Sequence, residues 1–211
     1  MSQSGGYDVS VEYVAEELGF PLPLKFPVEL RLPTGFDPDE PKTWPRVHGR
    51  LEYVGGRLLF MPPCGGSQGT FVLNLGRLIG TWVRANPDYV GGSNEVGMKL
   101  GDDRRGADVA VWRTRDRSSL KGFAPGAPLL AVEVEGEEEG DGERALREKA
   151  RWYLEHGTQI VWLALQSRRE IIVITASGES RHKSGELIPE HTELPGLRVS
   201  VDEVFYSPIP T

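Results

Sequence analysis

The sequence predicts a mixed α/β or α+β fold, a central sheet flanked by helices, on three observations. Residues 128–134 (PLLAVEV) form an unbroken apolar run, which indicates a strand buried on both faces. Residues 67–85 carry a helical stripe that must lie against a sheet, namely Phe71, Leu75, Leu78, Ile79 and Trp82. A second helical pattern, over residues 141–156, separates this strand from later β-prone runs.

The first 45 residues differ in character from the rest. Residues 7–19 place apolar side chains at helical spacing, with Ser10 as N-cap, and predict a short helix. Prolines crowd residues 20–45, which predicts an irregular connector with one strand at VELRL. We therefore divide the chain into an N-terminal helix and proline-rich extension, residues 1–45, and a folded domain, residues 46–211.

The domain opens with a β-hairpin and continues with alternating strands and helices. Two β-prone runs surround Gly55-Gly56, a pair that readily takes the positive φ of a tight turn. After the helix at 67–85, we expect strands at 89–100, 107–112 and 129–134, a helix at 141–156 that ends at Gly157, and strands at 159–165 and 170–175.

Composition excludes several classes of protein. Cys64 is the single cysteine, so an internal disulfide or a cysteine zinc site cannot form. We find no apolar run of membrane-spanning length and no signal peptide in MSQSGGYDVS, and we expect a cytoplasmic protein without a membrane partner. The net charge is −7, but residues 133–143 alone hold seven acids and no base, so a phosphate-binding surface elsewhere is not excluded.

Other common catalytic motifs are missing. The four histidines are scattered, which gives little support to a histidine metal site or a Ser-His-Asp triad. No P-loop or dinucleotide glycine motif occurs.

One charged constellation has the spacing D-x24-E-x-E-x13-K, formed by Asp108, Glu133, Glu135 and Lys149. Alternate residues of a strand share a face, so Glu133 and Glu135 are predicted to point the same way. Mg²⁺ or Mn²⁺ prefers such oxygen ligands, which makes Asp108, Glu133 and Glu135 candidate metal ligands. Lysine near the metal suits stabilisation of charge on a phosphoryl oxygen, and the set indicates phosphodiester hydrolysis.

A simpler interpretation of the same residues remains open. Glu135 is also the first residue of the acidic stretch that includes Glu137–Glu139, which is typical of a solvated loop. Lys149 stands between Arg147 and Arg151 and could be an ordinary solvent charge of its helix. Against this, Glu133 interrupts a run that otherwise reads as buried.

Residues 46–206 resemble the Uma family of restriction endonucleases, within the PD-(D/E)XK nuclease superfamily. The resemblance rests on the order and spacing of several segments: LEYVGGRLLFMPP at 51–63, SQGTFVLNL at 67–75, GADVAVW at 106–112, PLLAVEVEG at 128–136, Lys149-x3-Tyr153-x3-Gly157, Trp162, and LPGLRVSVDEVF at 194–205. It implies a restriction-endonuclease-like fold and Mg²⁺- or Mn²⁺-dependent cleavage of DNA.

Carried over by position, the resemblance makes Asp108, Glu133 and Lys149 the catalytic residues. It adds Glu52 and Gln68 as residues that line the site, and Tyr153 as a further candidate. The chain departs from the family pattern at Ala107, where proline is usual, and at Glu135-Gly136, where an apolar residue and a serine are usual. Dimers are common among relatives, so a homodimer is expected.

Two other functions stay open at this point. A non-catalytic member could keep the fold, and even the metal, and serve as a binding or regulatory module. Hydrolysis of a small phosphorylated substrate is a remoter alternative, which a small closed pocket at the site would favour.

Overall fold

The structure, a computed structural model, describes residues 26–117, 119–136 and 142–209. It divides into two compact units, with the boundary in the chain between Pro63 and Cys64. The helix predicted over residues 7–19 lies outside the described residues. The division between residues 45 and 46 stays a prediction, because most of the proposed extension is likewise outside them.

The first unit contains three antiparallel strands, β1 (Val28–Leu30), β2 (Arg50–Val54) and β3 (Arg57–Met61), with β3 in the middle. A 3₁₀ turn covers Pro41–Thr43. Gly55 and Gly56 join β2 to β3 with φ of 57° and 79°, values that L side chains rarely adopt. The predicted hairpin and the strand at VELRL are therefore confirmed.

The second unit carries the remaining elements. They are, in chain order, α1 (Gly66–Ala85), β4 (Tyr89–Leu100), β5 (Asp103–Arg113), β6 (Ala124–Pro125), β7 (Leu130–Val134), α2 (Gly142–Glu155), β8 (Ile160–Leu165), β9 (Glu170–Thr175), β10 (Gly178–Lys183), β11 (Leu187–Ile188), β12 (Val199–Ser200) and α3 (Val201–Val204). A 3₁₀ turn at Thr114–Asp116 follows β5.

Most of these strands form one mixed sheet in the order β5-β7-β8-β9-β10, with β4 also paired to β5 and β6 to β4. Strands β7 and β8 are parallel and are joined through α2, which makes a β-α-β unit; β5 and β9 run antiparallel to them. Strands β11 and β12 form a separate small pair.

Alternation along β7 divides the core into two layers. Leu130, Val132 and Val134 face the apolar cluster that includes Phe71 and Leu75 of α1. Ala131 belongs instead to the cluster that includes α2. Because successive side chains of a strand point to opposite faces, Glu133 lies on the α2 side.

The mixed sheet flanked by helices is confirmed, as are all seven elements expected between residues 67 and 175. The sequence interpretation did not include the edge strand β10 or the small elements β6, β11, β12 and α3. Among the helices of the described ranges, none combines the length and apolar character that a bilayer crossing requires.

Candidate active site

The two principal carboxylates lie on adjacent strands. Strands β5 and β7 are antiparallel with Val109 opposite Val132, so the next step along this register brings Asp108 to Glu133. Both side chains are buried, each with 4% of its surface exposed. Asp108 Oδ2 accepts a hydrogen bond of 2.7 Å from the Val134 amide, which fixes its carboxylate beside the end of β7.

Lys149 and Tyr153 reach the same point from α2, one helical turn apart. Lys149 Nζ donates to Glu133 Oε2 at 2.9 Å, and the Tyr153 hydroxyl donates to Glu133 Oε1 at 2.7 Å. The lysine is therefore turned to the sheet and paired with a carboxylate, not an ordinary solvent charge of its helix. We call Asp108, Glu133, Lys149 and Tyr153 the carboxylate cluster.

The electrostatics of the carboxylate cluster favour a bound cation. Burial, followed by the negative charges of Glu133 and Glu95, raises the pKa of Asp108 well above its ordinary value. Burial also raises the pKa of Glu133, although Lys149 opposes this effect. Burial and the neighbouring acids thus disfavour ionisation of Asp108 and Glu133, an effect that a bound cation would oppose.

Glu95 is a third acid near the cluster that sequence reasoning missed. It lies in a β-bulge of β4, where Ser93 pairs with Val109 and Val96 with Ala107, so that Asn94 and Glu95 together stand opposite Asp108. Asn94 and Glu95 have φ of 63° and 56°. The only available signal was Asn94 inside a glycine-containing strand, since asparagine is enriched at positive φ.

Gln68 and Glu135 have well-defined partners close to the end of β7. Gln68, buried in the first turns of α1, donates from Nε2 to the Val134 carbonyl at 3.1 Å. Glu135 Oε2 accepts a hydrogen bond of 2.9 Å from the Ser167 amide, after β8. The structure thus places both residues beside the strand that carries Glu133. Their predicted roles, ligand for Glu135 and lining residue for Gln68, stay predictions.

Glu52 belongs to the first unit, in β2, where only 2% of its surface is exposed. A buried glutamate is costly unless it is paired, which is compatible with a functional role but does not demonstrate one. Its predicted place in the site is therefore also still a prediction.

The donor set suits Mg²⁺ or Mn²⁺ bound by few protein ligands. Mg²⁺ is usually held by one or two carboxylates and keeps several waters, and Asp108 and Glu133 supply two. In the parts of the chain that the structure describes, no three His, Cys, Asp or Glu side chains are gathered as direct metal ligands. The chemistry of these two carboxylates fits a cation that keeps several water ligands.

Two cavities of the described residues, of about 320 and 440 Å³, lie elsewhere. The first is lined by residues of β8–β10 and of the segment 189–197, and the second by residues near Lys99 and His156. Neither is lined by a residue of the carboxylate cluster. They give no support to the alternative of a small phosphorylated substrate enclosed at this site.

Comparison with known proteins agrees with the fold described above. A crystal structure of "a putative nuclease belonging to DUF820" from Anabaena variabilis superposes with a TM-score of 0.67 at 18% identity, covering 78% of this chain and 94% of that one. At this identity the similarity shows a shared fold, the nuclease-like fold predicted. No curated protein matches the chain. The model of the family Uma2, described as "Putative restriction endonuclease", matches residues 38–202, and this chain therefore belongs to the Uma2 family.

Proposed function

We propose that this chain is a divalent-cation-dependent endonuclease that hydrolyses phosphodiester bonds of DNA. The observation that carries the proposal is the carboxylate cluster, in which Asp108 and Glu133 are buried on adjacent strands and Lys149 is hydrogen-bonded to Glu133. Membership of a family described as restriction endonucleases supports DNA as the substrate.

In this proposal Asp108 and Glu133 hold the Mg²⁺ or Mn²⁺ ion, and Glu135 is a further candidate ligand. When bound, such an ion polarises a phosphoryl oxygen and lowers the pKa of a bound water. Lys149 contributes a fixed positive charge beside Glu133, where negative charge develops on a phosphoryl oxygen. Tyr153 orients Glu133 through its hydroxyl group.

The chemistry requires both acids to be ionised, and burial alone opposes this. Burial disfavours the charged form of a carboxylate, which is why the pKa of each acid is raised even though each accepts hydrogen bonds. A cation held by Asp108 and Glu133 would stabilise the ionised form of both acids. Metal binding and ionisation of the site are therefore expected to be coupled.

The test is nicking of supercoiled plasmid with Mg²⁺ or Mn²⁺, with cation binding followed by calorimetry in the same samples. Asp108→Asn and Glu133→Gln are each expected to lower the cleavage rate by about 10²-fold or more, as for removal of other groups that stabilise a transition state electrostatically. Asp103→Asn is the matched control, since Asp103 lies on the same strand but accepts from Trp152 Nε1. Wild type that neither binds a cation nor cuts DNA would exclude the proposal.

A second function is favoured by one specific observation. Both oxygens of Glu133 are already hydrogen-bonded, to Lys149 and to Tyr153, and a residue held in this way also suits a non-catalytic member that binds DNA or regulates a partner. The same experiment separates the two functions. A wild type that folds and binds DNA without cleaving it would identify the non-catalytic one.

We further propose that the protein is a homodimer, because two sites would suit cleavage of both strands of a duplex. A location in the cytoplasm is also part of the proposal. Sedimentation velocity at micromolar concentration measures the mass directly. A monomer at all concentrations, with and without DNA, would contradict the dimer.

A further inference from the structure

The main chain of Gly106 is joined to the carboxylate cluster by two side chains. Gly106 lies in β5, two residues before Asp108, and its carbonyl accepts hydrogen bonds from Lys149 Nζ at 2.9 Å and from the Tyr153 hydroxyl at 3.0 Å. The same two groups donate to the two oxygens of Glu133, at 2.9 and 2.7 Å. The carbonyl and the carboxylate are thus bridged twice.

The number of protons that each donor carries decides how many acceptors it can serve at once. A tyrosine hydroxyl has one proton, so it donates to one acceptor at a time, and the nearer acceptor is the charged Glu133 Oε1. The lysine ammonium has three protons and can serve both acceptors together. The Gly106 carbonyl therefore fixes chiefly Lys149, and through it the orientation of Glu133.

The position tolerates little beyond a hydrogen atom. A Cβ on residue 106 would lie 3.0 Å from the Glu95 carbonyl oxygen and 3.0 Å from Glu95 Oε2. Gly106 is not among the glycines with positive φ, so the restriction comes from space and not from backbone conformation. It arises because Glu95, in the bulge of β4 that stands opposite Asp108, reaches back to Gly106.

We propose that Gly106 is a positioning residue of the site, whose carbonyl holds Lys149 on Glu133 and whose missing side chain admits the Glu95 bulge. Gly106 acts through the side chains that donate hydrogen bonds to its carbonyl, and it contacts neither the substrate nor the metal cation. This inference rests on the proposed function for its kinetic consequence, but the arrangement of Lys149 can be tested without cleavage.

The first experiment compares Gly106→Ala with Gly91→Ala. Gly91 lies in the neighbouring strand β4, and its Cβ would meet Val83 Cγ2 at 3.3 Å, so this control also introduces a tight contact, away from Glu133. Gly106→Ala is expected to lower kcat by about tenfold or more, because small displacements of a catalytic group are costly, while KM for DNA changes little. Gly91→Ala is expected to keep the kcat of wild type.

The second measurement does not depend on activity. Reductive methylation, followed by mass spectrometry of peptides, reports how readily each lysine reacts. Lys149 has a side chain only 14% exposed and is expected to react slowly in wild type, with the exposed Lys121 as the internal reference. In Gly106→Ala the rate at Lys149 should rise toward that of Lys121.

The outcomes separate the two proposals. Unchanged kcat, or unchanged protection of Lys149 in folded Gly106→Ala, would overturn the positioning role. Absence of cleavage in wild type would overturn the nuclease and leave the methylation result to decide the role of Gly106. If Gly106→Ala does not fold, Glu133→Gln replaces it, because Lys149 then keeps its bond to the Gly106 carbonyl but loses the charge of the carboxylate. Lys149 that stays protected from methylation in Glu133→Gln supports the role of the carbonyl, and a rate equal to that of Lys121 overturns it.

Discussion

The pKa values of the acids are raised in the carboxylate cluster and lowered in the ion pairs around Glu143. Glu143, in the first turn of α2, pairs with Arg147, Arg168 and Arg181 at 2.8, 2.6 and 2.6 Å, and we call these four residues the Glu143 network. Hydrogen bonding from Arg147 is the main cause that lowers the pKa of Glu143 to about 2. Asp108 and Glu133 instead have raised pKa values.

The difference distinguishes an acid whose charge is stabilised by folding, Glu143, from two acids whose charge is disfavoured by folding, Asp108 and Glu133. In the Glu143 network three guanidinium groups surround one acid near solvent, and folding stabilises the negative charge of Glu143. In the carboxylate cluster burial raises the pKa of both Asp108 and Glu133, so folding disfavours the ionised form of these two acids. Perturbed pKa values of this kind are concentrated at functional sites.

Removal of the lysine should produce the largest change in stability. Lys149→Met leaves Glu133 buried without the lysine ammonium group that pairs with it. Breaking a buried ion pair typically costs about 3–5 kcal/mol. We expect a loss of about 3 kcal/mol in the free energy of unfolding, since Glu133 can relieve part of the cost by taking up a proton. Urea denaturation at pH 7 measures it, with Lys121→Met as the exposed control. A loss no larger than that of the control would contradict the comparison.

Removal of an acid from the same cluster should have the opposite sign. Asp108→Asn is expected to stabilise the metal-free protein by about 1 kcal/mol, because it removes a charge that burial disfavours, and burial of an uncompensated polar group costs about 1–3 kcal/mol in mutational data. Millimolar Mg²⁺ should raise the thermal midpoint of wild type and not that of the variant. Destabilisation of the metal-free variant would show that the charge of Asp108 is fully compensated in the fold.

The contribution of the Glu143 network to stability should decrease in acid. The pKa of Glu143 falls from its ordinary 4.5 to about 2 on folding, so its ionised form stabilises the protein above pH 4.5. That contribution is lost progressively as pH falls toward 2. The difference in thermal midpoint between wild type and Glu143→Gln should therefore be largest at pH 5 to 7 and narrow by pH 3. A difference in thermal midpoint that does not change with pH would mean that the ionised carboxylate of Glu143 contributes nothing to stability.

The smallest effect is expected at the exposed rim of the Glu143 network. Arg168 pairs with Glu143 at 2.6 Å, but its side chain is 55% exposed, and exposed ion pairs typically contribute about 0–1 kcal/mol. Arg168→Ala should lower the free energy of unfolding by about 0.5 kcal/mol or less in low salt, and by less again in 1 M NaCl. Denaturation at the two salt concentrations measures this. A loss comparable to that of Lys149→Met would remove the distinction between the two regions.

Much of the fold and part of the site could be predicted from the sequence. The helical stripe of α1, the unbroken run of β7 and the Gly55-Gly56 turn are local patterns, and each element formed where its pattern indicated. Glu133 attracted attention because a carboxylate interrupted a buried run. Edge strand β10 (GESRHK) escaped prediction because most of its side chains are exposed and it has no apolar face to give a period.

The sequence by itself determined the elements and the acids and lysine available for catalysis, because hydrophobic periodicity depends on neighbours within a few residues. Tertiary structure alone decided how those charges meet. Lys149 lies 16 residues from Glu133 and 43 from Gly106, and the bulge at Glu95 exists only in the pairing of β4 with β5. No local pattern reports such contacts, since burial and charge compensation arise only when distant segments pack together.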